Sequence, residues 1–304
     1  MAEIIVSKSG AGNRLRATVI GGIAVLLWAT LALLTTATQP VPPFQLMALT
    51  FGIAFLLALG KWSIERWRGG PPVFSHLRQP GRVWALGVAG LFGYHFFYFT
   101  ALGIAPPADA SLIAFLWPLL IVLLSALLPG ERLRWWHLAG GVAGLVGAGL
   151  LVTRGGGMAL RPEFIVGYLA ALACAVTWST YSVISRRFGE VASDAVGGFC
   201  GATAVLGLIS HVLFEQTQWP DASGWLAVIA LGIGPVGAAF FVWDYGVKHG
   251  DIKALGALAY AAPLLSTLLL IIFGRAEASG TIALACILIV GGAVLASGDM
   301  LRQR

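Results

Sequence analysis

Tyr94, His95 and Tyr98 carry hydrogen-bonding groups inside a stretch, Val83 to Pro107, that contains no Asp, Glu, Lys or Arg. On a helix, Tyr94 and Tyr98 share a face, and His95 lies beside Tyr98. The same union of ring and donor recurs in other apolar runs, at Trp28, Trp117, Trp178, Tyr181, Trp243 and Tyr260. A buried O–H or indole N–H needs a partner. Facing hydrocarbon it has none, so these side chains are expected to point into a protein interior. Together they would offer π faces and a few donors. Such a wall suits a flat, amphipathic, aromatic solute, and it holds a cationic group by cation–π attraction. The competing account is core packing. It explains any single ring as well as lining does, whereas a set spread along the chain is better explained by a lined path.

Ionisable groups in these runs are few. They are His95, Asp244 as the candidate acid, and His211. Such groups at membrane depth are functional suspects by default. Asp244 lies one turn before Lys248, so an ordinary interface pair is the favoured reading. His95 is read as a hydrogen-bonding wall residue, because no nearby carboxylate completes a proton relay. The scarcity of acids at depth argues against a dedicated sodium site.

The elements that must position these residues follow from composition. Of 304 residues, 58% are hydrophobic and 11% charged, and the mean hydropathy is +0.87. Charges cluster between apolar stretches long enough, at about 20 residues, to cross a hydrocarbon core as helices. The runs are continuously apolar rather than alternating, which excludes a membrane β-barrel. An all-α integral membrane fold with ten transmembrane helices is expected, at 17–37, 44–61, 82–103, 107–128, 135–152, 164–185, 194–213, 223–247, 252–273 and 279–298. The first run follows Lys8, Arg14 and Arg16 and is longer than a signal-peptide core, so it is read as an uncleaved span. Counted by loop, sixteen Lys and Arg fall on one side and three (Arg154, Arg161, Arg275) on the other. That asymmetry places both termini in the cytoplasm. The net charge of +6 is then topology, not a nucleic-acid patch. Trp62, Trp67, Trp84, Trp135, Trp136, Trp219 and Trp225 are assigned to the interfacial belts. Cys174, Cys200 and Cys286 lie within spans and read as small buried hydrophobes.

The chain also repeats itself. Trp28-Ala29-Thr30 in the first span matches Trp178-Ser179-Thr180 in the sixth, Gly103 matches Gly246, and Pro118 matches Pro263. This divides it into a tail 1–16, a five-span repeat 17–152, a linker 153–163 containing Gly155-Gly156-Gly157, a second repeat 164–298 and a tail 299–304. An odd number of spans per unit inverts the second copy. Inverted repeats are a common build for secondary transporters, with the binding site near the midplane. Pro118, Pro235 and Pro263 are expected to kink their spans there and act as hinges.

Enzyme motifs fail. Gly232-x-Gly234-x-x-Gly237 lies mid-span with Pro235 inside it and no strand before it, so it is no dinucleotide site. A Walker lysine loop, zincin helix and nucleophile elbow are all missing from the sequence. No catalytic residue, metal or cofactor is therefore expected, and no ATPase partner is evident. Gly140 and Gly144 form a close helix-contact signal for internal packing.

The ten spans, the five-plus-five duplication, the paired "WAT" and "WST" segments and the run Ala101 to Leu133, ending in Gly130-Glu131-Arg132-Leu133, resemble the drug/metabolite transporter superfamily in its ten-span, EamA-type exporter branch. Within it, the tyrosine-rich third span and the tryptophan of "AFLWPLL" look most like the aromatic amino-acid exporters. The resemblance implies export of aromatic amino acids and related compounds across a bacterial-type cytoplasmic (inner) membrane, through a central cavity walled by Tyr94, Tyr98, Trp117 and Trp178. The second half departs from the pattern, with Gly274-Arg-Ala-Glu277 where the first has Gly130-Glu131-Arg132-Leu133. The reading is a secondary exporter or facilitator of aromatic and other amphipathic amino acids or small metabolites, with membrane lipid around it. The alternatives are a multidrug exporter of cationic or nucleoside-like compounds and a membrane-embedded enzyme on lipid-linked substrates. The enzyme would draw on Ser63, Glu65, Ser75 and His76, too loose a set.

Overall fold

The computed structural model describes residues 2–155, 161–272 and 277–297. Linker residues 156–160, Gly274 to Ala276 and the carboxyl-terminal tail lie outside them, so expectations placed there have no structural counterpart. Among the described residues the chain is helical, with no strand. Nine helices among the described residues are long and apolar enough to cross a membrane: α1 (Gly12–Ala37), α2 (Pro43–Trp67), α3 (Gly81–Ile104), α4 (Pro107–Ser125), α5 (Trp135–Val152), α6 (Pro162–Phe188), α7 (Ala195–Phe214), α8 (Ala222–His249) and α9 (Ile252–Ile272). A shorter apolar helix follows, α10 (Gly280–Ala296). Proline opens α2 and α4 at the first-turn positions that have no N–H to lose. The second helix runs past residue 61 to Trp67, supported by a Lys61–Glu65 pair one turn apart, because hydropathy marks the oil-facing length and not the helix end.

Several helices are interrupted. The first breaks at Ala29–Thr30, the fourth at Phe115–Leu116 and the ninth at Ala259–Tyr260. The third and eighth each carry a π-helical turn, at Ala89–Gly93 and Gly234–Ala238. The expected hinge prolines lie at or beside these irregularities. Pro118 sits in the first turn of a helix that has already restarted, and Pro263 follows the break at 259–260 in the same way. Pro235 lies inside the π-turn.

Among the helix contacts are α5 on α10, α2 on α7, α1 on α8 and α3 on α6, while α4 packs against both α6 and α9 and α8 also lies against α2. Close approach sets the first and third of these. A Cβ on Gly140 would lie 2.4 Å from the Gly292 carbonyl oxygen, and one on Gly246 would lie 2.5 Å from Gly21 Cα. Trp62 departs from its interfacial assignment. It is fully buried, with its ring stacked on His76 at 4.9 Å, because the 68–80 connection folds back over the end of α2. Trp67, Trp135 and Trp219 stay exposed.

Gly140→Val is expected to cost about 1–3 kcal/mol through overpacking, read as a lowered unfolding midpoint in detergent. An unchanged midpoint would mean that α5 and α10 can part without penalty.

Candidate functional site

The breaks bring four tryptophans together. Trp28 ends the first piece of α1 and Trp117 begins the second piece of α4. Trp178 comes from the unbroken α6, and Trp243 follows the π-turn of α8. All six pairs among them are in ring contact, with centroids 5.1 to 6.4 Å apart. Most meet edge-to-face, the geometry that the ring quadrupole favours. Phe240 completes the group against Trp28 and Trp178. Two of the four indole donors have side-chain or backbone partners. Trp28 Nε1–H donates to the Pro235 carbonyl at 3.1 Å, and Trp243 Nε1–H donates to Ser182 Oγ at 3.1 Å.

The opening trio lies on one flank of this cluster. The Tyr94 ring is 5.4 Å from Trp178 and stacks on Tyr98 at 6.1 Å. The Tyr98 hydroxyl shares a 3.1 Å hydrogen bond with Ser111 Oγ of α4. His95 Nδ1–H donates to Leu91 O at 2.7 Å, and its ring lies against Phe51 and Phe240. Trp28, Tyr94, His95 and Tyr98 keep part of their surface open although rings from other helices surround them. Trp178, Tyr181 and Trp243 are buried.

Tyr260 stands apart from its expected companions. It is fully buried in a separate cluster with Ala148, Leu264 and Ile289. Its hydroxyl accepts the Leu119 N–H at 3.2 Å. That N–H is one of the orphan donors where α4 restarts. A tyrosine at the break of α9 thus satisfies the break of α4.

One end of the bundle is closed by charge, of which the sequence showed only the Gly130-Glu131-Arg132-Leu133 motif. The Glu131 carboxylate meets Arg14 at 3.1 Å, Arg186 at 3.2 Å and Lys253 at 2.9 Å. Arg14 also reaches Asp251 at 3.2 Å, and Arg186 donates to the carbonyls of Val247 and Gly250. Asp251 caps α9 through the N–H groups of Lys253 and Ala254. The knot ties α1, α6, α8 and α9 to the connection between α4 and α5. Burial pushes the Glu131 carboxyl up, but the Lys253 hydrogen bond and the charges of Arg14, Lys253 and Arg186 outweigh it and hold the group below its ordinary value.

Asp244 does pair with Lys248, at 2.7 Å. It also accepts from Tyr181 at 3.3 Å and Ser193 at 2.6 Å. His211 belongs to the opposite end. It donates to Glu215 at 2.9 Å, and Glu215 in turn accepts the Phe44 and Gln45 N–H groups that open α2. That is a helix cap at the positive end of a dipole. Glu65 and His76, judged too loose, converge with Asp194. The Lys61 ammonium serves both acids there, at 2.9 and 2.5 Å.

The sequence pattern of the EamA-like transporter family matches residues 16–153 and again residues 165–298. The chain belongs to the EamA-like transporter family. An aromatic amino acid exporter, YddG, of Ancylobacter novellus is 57% identical over 286 residues, spanning 94% of this chain and 98% of that protein. An exporter of the same name from Salmonella typhimurium is 24% identical over 84% of this chain and 87% of its own length. A crystal structure 56% identical in sequence superposes with a TM-score of 0.88 over 95% of this chain and all of the other. This EamA-like protein is a multi-pass membrane transporter and not an enzyme, which removes the lipid-linked enzyme from consideration.

Two outcomes follow from this geometry. Tyr260→Phe is expected to strand the Leu119 N–H and cost about 1–3 kcal/mol, seen as a lowered unfolding midpoint; an unchanged one would show that another acceptor serves Leu119. Glu131 has a lowered folded pKa, so its contribution is present above the unfolded glutamate value of about 4.3 and is lost as pH falls through the folded value. Glu131→Gln should therefore melt below wild type at pH 7, and the two should converge as pH falls through the lowered folded value. A gap that persists at low pH would assign the effect to shape rather than charge.

Proposed function

We propose that this protein exports aromatic and other amphipathic amino acids or small metabolites from the cytoplasm by alternating access through the aromatic cluster. The observation that carries the reading is the joining of four indoles from four helices, flanked by the Tyr94, Tyr98 and Ser111 hydroxyls. Rings receive the side chain, and the hydroxyls with His95 meet the polar end. A zwitterion loses water on entry, so those polar contacts are needed for recognition as well as packing. Kinship with an aromatic amino acid exporter that spans nearly the whole chain supports the same assignment.

In this reading Trp28, Tyr94, His95, Tyr98, Trp117 and Trp178 form the wall, Tyr181 and Trp243 back it, and Tyr260 holds α4 in place from behind. The chain crosses the membrane ten times as two inverted copies, 17–152 and 164–298, with both termini in the cytoplasm of a bacterial-type cell. The family pattern matching twice supports the duplication. So does the pairing of helices, since exchanging each helix with the one five positions away exchanges α1–α8 with α3–α6 and leaves α5–α10, α2–α7 and α4–α9 in place. The π-turns of α3 and α8 and the breaks of α4 and α9 correspond under the same exchange. The segments beginning at Pro118, Pro235 and Pro263 then act as hinges. The Glu131 knot lies at the cytoplasmic end, which is shut in this conformation.

The test is uptake of labelled tryptophan and phenylalanine by liposomes carrying purified protein and preloaded with the same amino acid. Saturable exchange is expected. It should fall about fivefold in Trp117→Ala, from the loss of about 1 kcal/mol of ring contact, and fall also in Tyr98→Ala. No exchange, with or without a pH gradient, would overturn the amino-acid reading and turn attention to cationic and nucleoside-like compounds.

A further inference from the structure

The buried pair Asp244–Lys248 adjoins the aromatic cluster on its charged-knot side. Trp243 precedes Asp244 and is one of the four indoles. The Tyr181 ring lies 5.2 Å from Trp178, and its hydroxyl donates to Asp244. Asp244 is 1% exposed, and the Lys248 side chain 5%. Taking both charges out of water is costly, and such a pair is weak evidence for a stabilising role. Nor does the pair itself join two helices, since both members stand on α8, one turn apart. Besides Tyr181 of α6, it contacts the α6–α7 connection, through Ser193 Oγ and the Val191 carbonyl. A small cavity opens beside it between Val83, Gly87, Tyr181, Phe188, Asp244 and Lys248.

We propose that Asp244 and Lys248 are the capture site for the two charged ends of the transported amino acid, reached from the cytoplasmic end before the ring enters the aromatic cluster. The inference rests on the export reading above. An α-amino acid carries its ammonium and carboxylate one carbon apart, so one ligand reaches both members of a pair that are in direct contact. The α-carboxylate takes the Lys248 ammonium and the α-ammonium takes the Asp244 carboxylate. One internal ion pair is exchanged for two, and no net charge enters the membrane. Tyr181 then stands between the captured zwitterion and Trp178. The Glu131 knot cannot serve in this way, because its carboxylate is surrounded by three cations that tie separate helices. On the far flank of the cluster the groups on offer are the neutral hydroxyls of Tyr94, Tyr98 and Ser111. A substrate moving outward thus meets charge first and weaker, uncharged partners later, an order that favours release.

The experiment uses the same exchange assay, with labelled tryptophan competed by unlabelled tryptophan, by tryptamine (no carboxylate) and by indole-3-propionate (no ammonium). Wild type should prefer tryptophan to either analogue by about tenfold or more, the strength of hydrogen bonds to charged groups. Lys248→Met should erase the preference over tryptamine, and Asp244→Asn the preference over indole-3-propionate. Lys248→Arg, which keeps the charge, should retain it. The double variant Asp244→Asn/Lys248→Met leaves no lone buried charge and should lose both preferences while still exchanging. Each preference is a ratio within one protein, so the amount of folded material cancels. Unchanged ratios in the double variant, with wild type exchanging normally, would overturn the capture site and leave the export reading intact. Failure of wild type to exchange tryptophan at all would overturn the export reading, and this inference with it.

Discussion

A hydrocarbon core supplies no hydrogen-bond partners, so every backbone group that leaves a helical ladder must be met by something the chain itself brings. This protein interrupts several of its helices, and at two of those interruptions the partners it brings are ring side chains. The Pro235 carbonyl at the π-turn of α8 is met by the indole of Trp28. The Leu119 N–H at the restart of α4 is met by the phenol of Tyr260. At the break of α1, Thr30 Oγ–H turns back to the Leu27 carbonyl. The same interruptions that create the demand also turn Trp28 and Trp117 toward Trp178 and Trp243. Backbone satisfaction and construction of the aromatic cluster are one arrangement seen from two directions.

Charge obeys the same scarcity of water. At one end Glu131 gathers Arg14, Arg186 and Lys253 and so joins segments far apart in the chain. Further in, Asp244 and Lys248 balance each other within a single helix. At the other end His211 and Glu215 secure the start of α2. The three groups differ in what they hold. The first binds several helices to one another, the second stands on one helix and is tied to α6 and the connection after it, and the third completes a helix terminus.

Most of the architecture could be read from the chain because oil-facing length is written directly in composition. The apolar runs located the helices to within a few residues, apart from the polar extension of α2. The indoles at 28, 117, 178 and 243 were recognisable as a set because a donor in mid-span has to face inward. Tyr260 satisfied the same rule yet lies elsewhere, since facing inward does not say toward which cluster. The prolines announced irregularity but not its form, which depends on where the preceding ladder ends. The Glu131 knot was almost invisible beforehand. Its members come from positions 14, 131, 186, 251 and 253, and no local spacing tells which loop charges will meet. Trp62 was misplaced for a similar reason, because the segment that covers it follows in the chain and folds back.

Four indoles within about one ring diameter of each other also give the molecule a built-in optical signal. Excitation absorbed by any of them passes readily to its neighbours at centroid separations of 5.1 to 6.4 Å, so the group emits and rotates polarised light as a coupled unit. Of the remaining tryptophans, Trp67 lies exposed, whereas Trp135 touches Trp136 and Trp219 stacks on Trp225 as two separate pairs. Near-ultraviolet dichroism of the untouched protein therefore includes a contribution from the geometry of its own centre. Any separation of α1 or α4 from α6 and α8 is spectroscopically visible without a label.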